Sequence, residues 1–273
     1  MRSGHCPGIW SCGDANRHFD KSICAERRDS RPLSTKCTAQ LLQSCLNLGI
    51  SLGGLAIIFS YTTTLGGWNP EEMLALVGVY FFVGGIIGLV IQPSLQQFIE
   101  SVRDGTFDFT LTKPVDTQFM ISIHQADIWR LIDMAMGVGV MATALTKLGE
   151  TIGGWQAMEF IGMLVAGGVI IYSFWLILAT LAFWFVRVEN LLTIFQSMYE
   201  AGRWPTSLYP GWLRYGLTFI VPVAVATTIP VEAILGRLIW QTLLITGLSA
   251  LIMNAIARAV WRAGLRHYSG TSA

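Results

Sequence analysis

The chain has 273 residues, of which 53% are hydrophobic and only 13% charged, with a net charge of +1. That balance points away from an ordinary soluble domain; the net charge says nothing about nucleic acid, which is not an expected partner. An integral membrane protein, with the lipid bilayer as its surroundings, is expected.

Residues 1–40 read as a poorly ordered basic tail. The segment has no helical or strand period and no apolar signal-peptide core, and whether it is the natural start stays open. All five cysteines (Cys6, Cys12, Cys24, Cys37, Cys45) lie in the first 45 residues. None pairs with another at C-x-x-C spacing, and with His5 and His18 they match no zinc pattern, so free thiols are expected.

Residues 41–273 read as one all-α domain of six membrane spans, at about 42–64, 73–91, 128–146, 162–186, 215–229 and 238–257. About 20 apolar residues cross a ~30 Å hydrocarbon core. Gly49-Ile-Ser-Leu-Gly53 carries the G-x-S-x-G of a hydrolase elbow. It lies mid-helix, where small-x-x-x-small spacing reads instead as a helix-packing face. Gly84 and Gly88 repeat that spacing. Gly66 to Pro70 is a turn, with Trp68 expected at interface depth.

Between the second and third spans, Pro93 to Asp116 forms a polar unit. Ser94 and Gln97 fit a capping box. Leu95, Phe98, Ile99 and Val102 then recur as one apolar stripe, with Glu100, Arg103 and Asp104 on the other face. Gly105 sits at a helix C-cap. Phe107, Phe109 and Leu111 alternate with Asp108, Thr110 and Thr112, and Lys113-Pro114 closes the unit. An amphipathic helix lying along the membrane surface is expected.

Arg130 and Asp133, one turn apart at the start of the third span, read either as a functional intramembrane pair or as an interface pair that snorkels. Arg187 to Arg214 is a second polar segment. A surface helix is expected there, with Leu192, Phe195 and Tyr199 on one face. Pro222 and Pro230 imply a kinked or broken fifth span, which either lines a substrate site or is a packing kink. With both termini cytoplasmic, only Lys147 and Arg237 of the loop and tail basic residues fall outside, which satisfies the positive-inside rule. No G-x-x-x-x-G-K-[ST] loop, H-E-x-x-H or other catalytic or metal-ligating constellation is present.

The run Val102-Arg103-Asp104-Gly105-Thr106-Phe107-Asp108 through Leu111, Lys113 and Pro114 resembles the cytoplasmic loop of a bacterial family of ABC-type permeases, in the class of drug and polysaccharide exporters. That family's pattern is close to I-R-x-G-x-[FL]-D-x-x-L-x-K-P. Gly66-Gly67-Trp68, Arg203-Trp204-Pro205 with Tyr209-Pro210, Pro222 with Pro230, and Gly264 to Tyr268 extend the likeness over residues 45–270. The resemblance implies a non-enzymatic subunit of the cytoplasmic (inner) membrane that binds no cofactor itself. ATP would be used by a separate ATP-binding subunit, and a second related permease or another copy of this chain would complete the transporter. Phe98, Ile99, Glu100, Arg103, Asp104, Gly105, Asp108, Lys113 and Pro114 would couple to the ATPase, with Asp108 and Lys113 pinning the loop. The rival readings are a self-sufficient secondary carrier or channel, and a membrane-embedded enzyme; the nearly uncharged spans speak against both. The substrate stays open.

Overall fold

The computed structural model describes residues 33–112, 116–148, 153–185, 189–220 and 222–267. Among these the fold is helical, apart from one isolated bridge between Leu65 and Trp68. Helix α1 is Leu33–Tyr61, so helix begins inside the segment read as a tail; residues 1–32, with Cys6, Cys12, Cys24 and both N-terminal histidines, lie outside the described residues. Cys37 and Cys45 are free thiols. Gly66 and Gly67 take positive φ (60° and 84°), which lets Leu65 and Trp68 exchange backbone hydrogen bonds across the turn. Trp68 is buried in the core.

Helix α2, Pro70–Ile86, opens on a reach-back cap in which the Asn69 N–H donates to Glu72 Oε2. A π-helical turn, Ile87–Ile91, joins it to α3, Gln92–Arg103. The 34 residues from Pro70 to Arg103 therefore form one continuous helix. At 1.5 Å per residue it is about 51 Å long, well beyond a ~30 Å core. The expected separate surface helix is instead a stalk that prolongs the second span.

Short helices α4 (Asp108–Leu111) and α5 (Thr117–Ser122) follow. A 3-10 turn at Ile128–Arg130 leads into α6, Leu131–Leu148. Helix α7 runs Gly154–Thr180, with a 3-10 turn to Phe183. It starts earlier than the uncharged run suggested, because Gln156 accepts the Gly153 N–H and carries Trp155 to Phe160 into the helix. Helix α8 is Glu189–Glu200, and α9 (Gly211–Tyr215) with a π turn to Ile220 precedes a break at Pro222. Helix α10, Val223–Ile234, contains Pro230 rather than ending there. Helix α11 runs Trp240–His267 and carries Arg258, Arg262 and Arg266 along one helical face.

Among the described residues, five helices are long and apolar enough to cross a membrane: Cys37–Tyr61, Pro70–Arg103, Ile128–Leu148, Gly154–Phe183 and Trp240–His267. The expected fifth span is not among them, because Pro222 divides it into short pieces. The core sits around α2 and α7. Helix α2 packs on α6 almost backbone to backbone: a Cβ built on Gly137 would lie 2.6 Å from the Phe82 nitrogen and 2.7 Å from the Gly78 oxygen. Gly167 of α7 approaches Ala226 of α10 in the same way. Gly49 and Gly53, expected to be a packing face, have no neighbour of this kind within 4 Å. Gly84 and Gly88 face not a helix backbone but the side chains of Tyr199 and Arg130.

Candidate functional site

The stalk end is built on aromatic rings. The apolar stripe of α3 turns inward, with Leu95, Phe98 and Ile99 buried. Phe98 meets Phe107, Phe183 and Trp261 at centroid distances of 5.3, 5.5 and 5.2 Å. Edge-on ring pairs of this kind contribute about 0.5–1.5 kcal/mol each beyond area burial. Gly264 leaves room for Phe183 against α11. Gly105 takes φ 70°, and past it the Thr106 and Phe107 N–H groups both donate to the Ser101 carbonyl, which folds Phe107 back under Phe98. The alternation of Phe107, Phe109 and Leu111 does not make one face. Phe107, the N-cap of the short helix α4, is fully buried, whereas Phe109 and Leu111 within it are exposed.

Ser94 does not cap a helix, because the helix is already running when it is reached. Its hydroxyl donates to the Gln125 carbonyl at 2.8 Å and accepts from the Gln125 N–H at 3.2 Å. Gln97 bonds the His124 ring at 2.8 Å. The pair read as a capping box thus anchors the loop after α5. Asp116 caps α5 through the Gln118 N–H and reaches Arg258 of α11 at 3.4 Å. Glu100, Arg103 and Asp104 are exposed together at the tip, with Arg103 Nε 3.4 Å from Asp104 Oδ1. Asp108 is half-buried beside them. Lys113 and Pro114, and hence the expected Asp108–Lys113 contact, lie outside the described residues.

A second set of predicted residues falls in a polar cavity of about 190 Å³ between α1, α2, α6 and α8. Arg130 Nη1 lies 3.3 Å from Asp133 Oδ2. The pair has partners that the sequence reading missed: Ser44 donates to Asp133 Oδ1, and Gln40 Nε2 donates to Oδ2 at 3.1 Å. The signal was the helical spacing of polar residues at 40, 43, 44, 47 and 51 within a charge-free run.

Arg203 also belongs here. The segment Ala201–Leu208 was expected in a loop with the other basic residues. It instead follows α2 from Tyr80 toward the Gly66 turn, where Ser207 donates to the Gly66 carbonyl and Leu208 packs on Gly66. Tyr80 is ten residues into a 34-residue helix, about 15 Å from its start. Arg203 lies over the Tyr80 ring at 5.4 Å, a cation–π contact that a loop arginine would not need. Tyr199 stacks on Tyr80 at 4.9 Å and donates to its carbonyl at 2.9 Å.

A long helix with a folded tip, several apolar spans and a polar cavity between them is the layout of a transport subunit, and the family comparison decides which kind. The model of the ABC-2 family transporter protein matches residues 45–272. The chain belongs to the ABC-2 family. It is an ABC transporter permease and a multi-pass membrane protein. No curated protein and no solved structure matches it.

At the opposite end of the permease from the stalk, α2 and α10 are clamped together. Arg237 donates to both oxygens of the buried Glu72, at 2.5 and 3.1 Å, and the same carboxylate holds the α2 cap. Bidentate pairing of this kind is among the strongest polar contacts a protein makes. Pro222 sits at the break beside this clamp's helix, with φ −72° and ψ 46°, and frees α9 from α10. Helix α10 nevertheless continues through Pro230.

Proposed function

We propose that this chain is the membrane subunit of an ATP-driven exporter, worked by a separate ATP-binding subunit through the tip of α3 and α4. The observation that carries this is the arrangement of that tip. Phe98, Phe107, Phe183 and Trp261 lock the tip to α7 and α11, while Glu100, Arg103 and Asp104 stand exposed beyond it. A push on those three residues is delivered to a rigid body that continues without a break into α2. Permeases of the ABC-2 family generally work with an ATP-binding subunit, and the sequence has no phosphate loop of its own.

In this reading the membrane is the cytoplasmic one, and both termini and the tip face the cytoplasm. The sixth crossing is the composite of α8, α9 and α10. Each of its helices is short, and such broken crossings are tolerated where they line a cavity or are covered by protein. A second permease, this chain again or a relative, completes the transporter. Outward transport follows from the likeness to exporter permeases. Two bundle states, open to either side, alternate as the ATPase closes and opens.

The test is a mild-detergent co-purification of the tagged chain from its native membrane. An ATP-binding protein recovered in stoichiometric amount, and lost on Arg103→Glu with Asp104→Lys, is the expected result. A chain recovered alone would overturn the reading.

A further inference from the structure

The polar cavity between α1, α2, α6 and α8 has a feature that structural packing does not explain. Its two arginines are not equivalent. Arg130 is neutralised by Asp133 at 3.3 Å, with Asp127 at 4.0 Å on its other side. Asp133 is in turn saturated by Ser44, Gln40 and Arg130. Arg203 has no carboxylate within ion-pair distance among the described residues; its buried Nε, like that of Arg130, has no hydrogen-bond partner. Glu200, one turn earlier, is exposed at the cavity rim. The lining carries two arginines and two carboxylates, but the arginine held over Tyr80, deep along α2, is the one without an ion-pair partner among the described residues.

The walls around it are amides. Gln40, Gln43 and Asn47 line the cavity from one face of α1, and Gln92 and Gln196 line it from the other side, bonded to each other at 2.9 Å. Helix α1 is a span, and amides on a span are costly against hydrocarbon unless they meet water or a polar partner. The cavity volume is far above the ~10–15 Å³ that one water needs. A cationic centre ringed by neutral donors is the chemistry that recognises an anionic oxygen group. The cavity lies along the inner part of α2, between Tyr80 and Gln92, on the stalk side of the spans. The exposed faces of α1 beside it are apolar, with Leu42, Leu46 and Ile50 at the surface. An anionic head in the cavity would place an attached apolar tail along those residues.

We infer that this cavity is the cargo-head site of the permease, and that it takes the phosphate or carboxylate head of an amphipathic molecule on Arg203. This rests on the transport reading above and names its cargo class. The binding test uses the chain alone, so it can fail while an ATP-binding partner is captured, and the reverse.

The full-length chain in a neutral detergent is titrated with dihexanoyl phosphatidylglycerol, with dihexanoyl phosphatidylcholine and with inorganic phosphate. Native mass spectrometry and thermal unfolding report binding. Phosphatidylglycerol is expected to bind at least tenfold more tightly than the other two. Arg203→Gln is expected to lose about tenfold for it, the equivalent of one charge-assisted hydrogen bond, while Arg262→Gln on α11 loses nothing. Asn47→Leu, an exposed wall residue whose replacement suits a membrane helix, is expected to lose about threefold and carries the test if Arg203→Gln does not fold. Equal binding of the zwitterionic and anionic lipids would overturn the inference. So would inorganic phosphate binding as tightly as phosphatidylglycerol, which would assign the cavity to a free anion. Unchanged affinity in a folded Arg203→Gln, or in Asn47→Leu, would overturn it as well.

Discussion

The two halves of the Pro70–Arg103 helix are held by opposite means. In the first half, Gly78 and Gly85 let α6 approach until backbone nearly touches backbone, and almost every residue from Met73 to Val83 is buried. In the second half the helix stands off from its neighbours and rings fill the space, with Phe98 at the centre of three other aromatic side chains. The π turn at Ile87–Ile91 lies between them, and the Asp127 N–H donates to the Leu89 carbonyl there. The contrast separates two tasks. Within a bilayer no hydrophobic force draws helices together, so small residues and close fit must do it. In the proposed arrangement the ring-packed half stands outside the bilayer, where burial of large apolar rings from water is effective again.

That contrast can be broken most sharply at α6. Gly137→Leu drives a side chain into the Phe82 backbone and is expected to abolish the folded protein. Gly139→Leu, two residues on, meets nothing within 4 Å and should fold normally. The yield of monodisperse protein on size exclusion distinguishes them.

The aromatic half is expected to yield less completely. Phe98→Ala removes the central ring and should cost about 3–5 kcal/mol, read as a lowered unfolding temperature of the extracted protein. Phe109→Ala, at a side chain that is 75% exposed, should stay within about 0.5 kcal/mol.

Smaller again is the effect at the junction of the two halves. Asp133→Ala leaves Arg130 with only the distant Asp127 and frees Ser44 and Gln40. A loss of about 2–3 kcal/mol is expected, the range for hydrogen bonds to charged groups, with Asp133→Asn losing less because two of its three partners can still bond it. Unfolding of both variants in parallel measures the difference.

Much of this was legible in the chain. The stripe Leu95, Phe98, Ile99 and Val102 and the cap at Gly105 are local patterns, fixed by 3.6-residue periodicity and by the freedom of glycine at positive φ. The spans were legible as apolar runs, although their ends were not. Helix α2 runs into α3 through the π turn at Ile87–Ile91, where the Leu89 carbonyl, four residues before Pro93, accepts the Asp127 N–H in place of the bond that proline cannot make. The position of Arg203 was hidden for a different reason. A polar stretch with two prolines reads as a loop, and only the tertiary contacts with Tyr80 and Gly66 draw it alongside α2. The partners of Asp133 were visible as residue types, but the pairing of Ser44 and Gln40 with a residue about 90 positions away is set by packing of α1 on α6, which periodicity does not encode. Gly84 and Gly88 carry the spacing of a helix interface yet make room for Tyr199 and Arg130, so the spacing identified where bulk was excluded and not what fills the gap.

The most direct test of the account is photo-crosslinking from the two ends of the helix in native membranes. A crosslinking residue is placed at Glu100 on the stalk tip, and in a second strain at Glu71 at the far end. The account predicts that an ATP-binding subunit is captured from position 100 and not from position 71. Capture from neither, or from both alike, would contradict the claim that the folded tip of this helix is where the permease is driven.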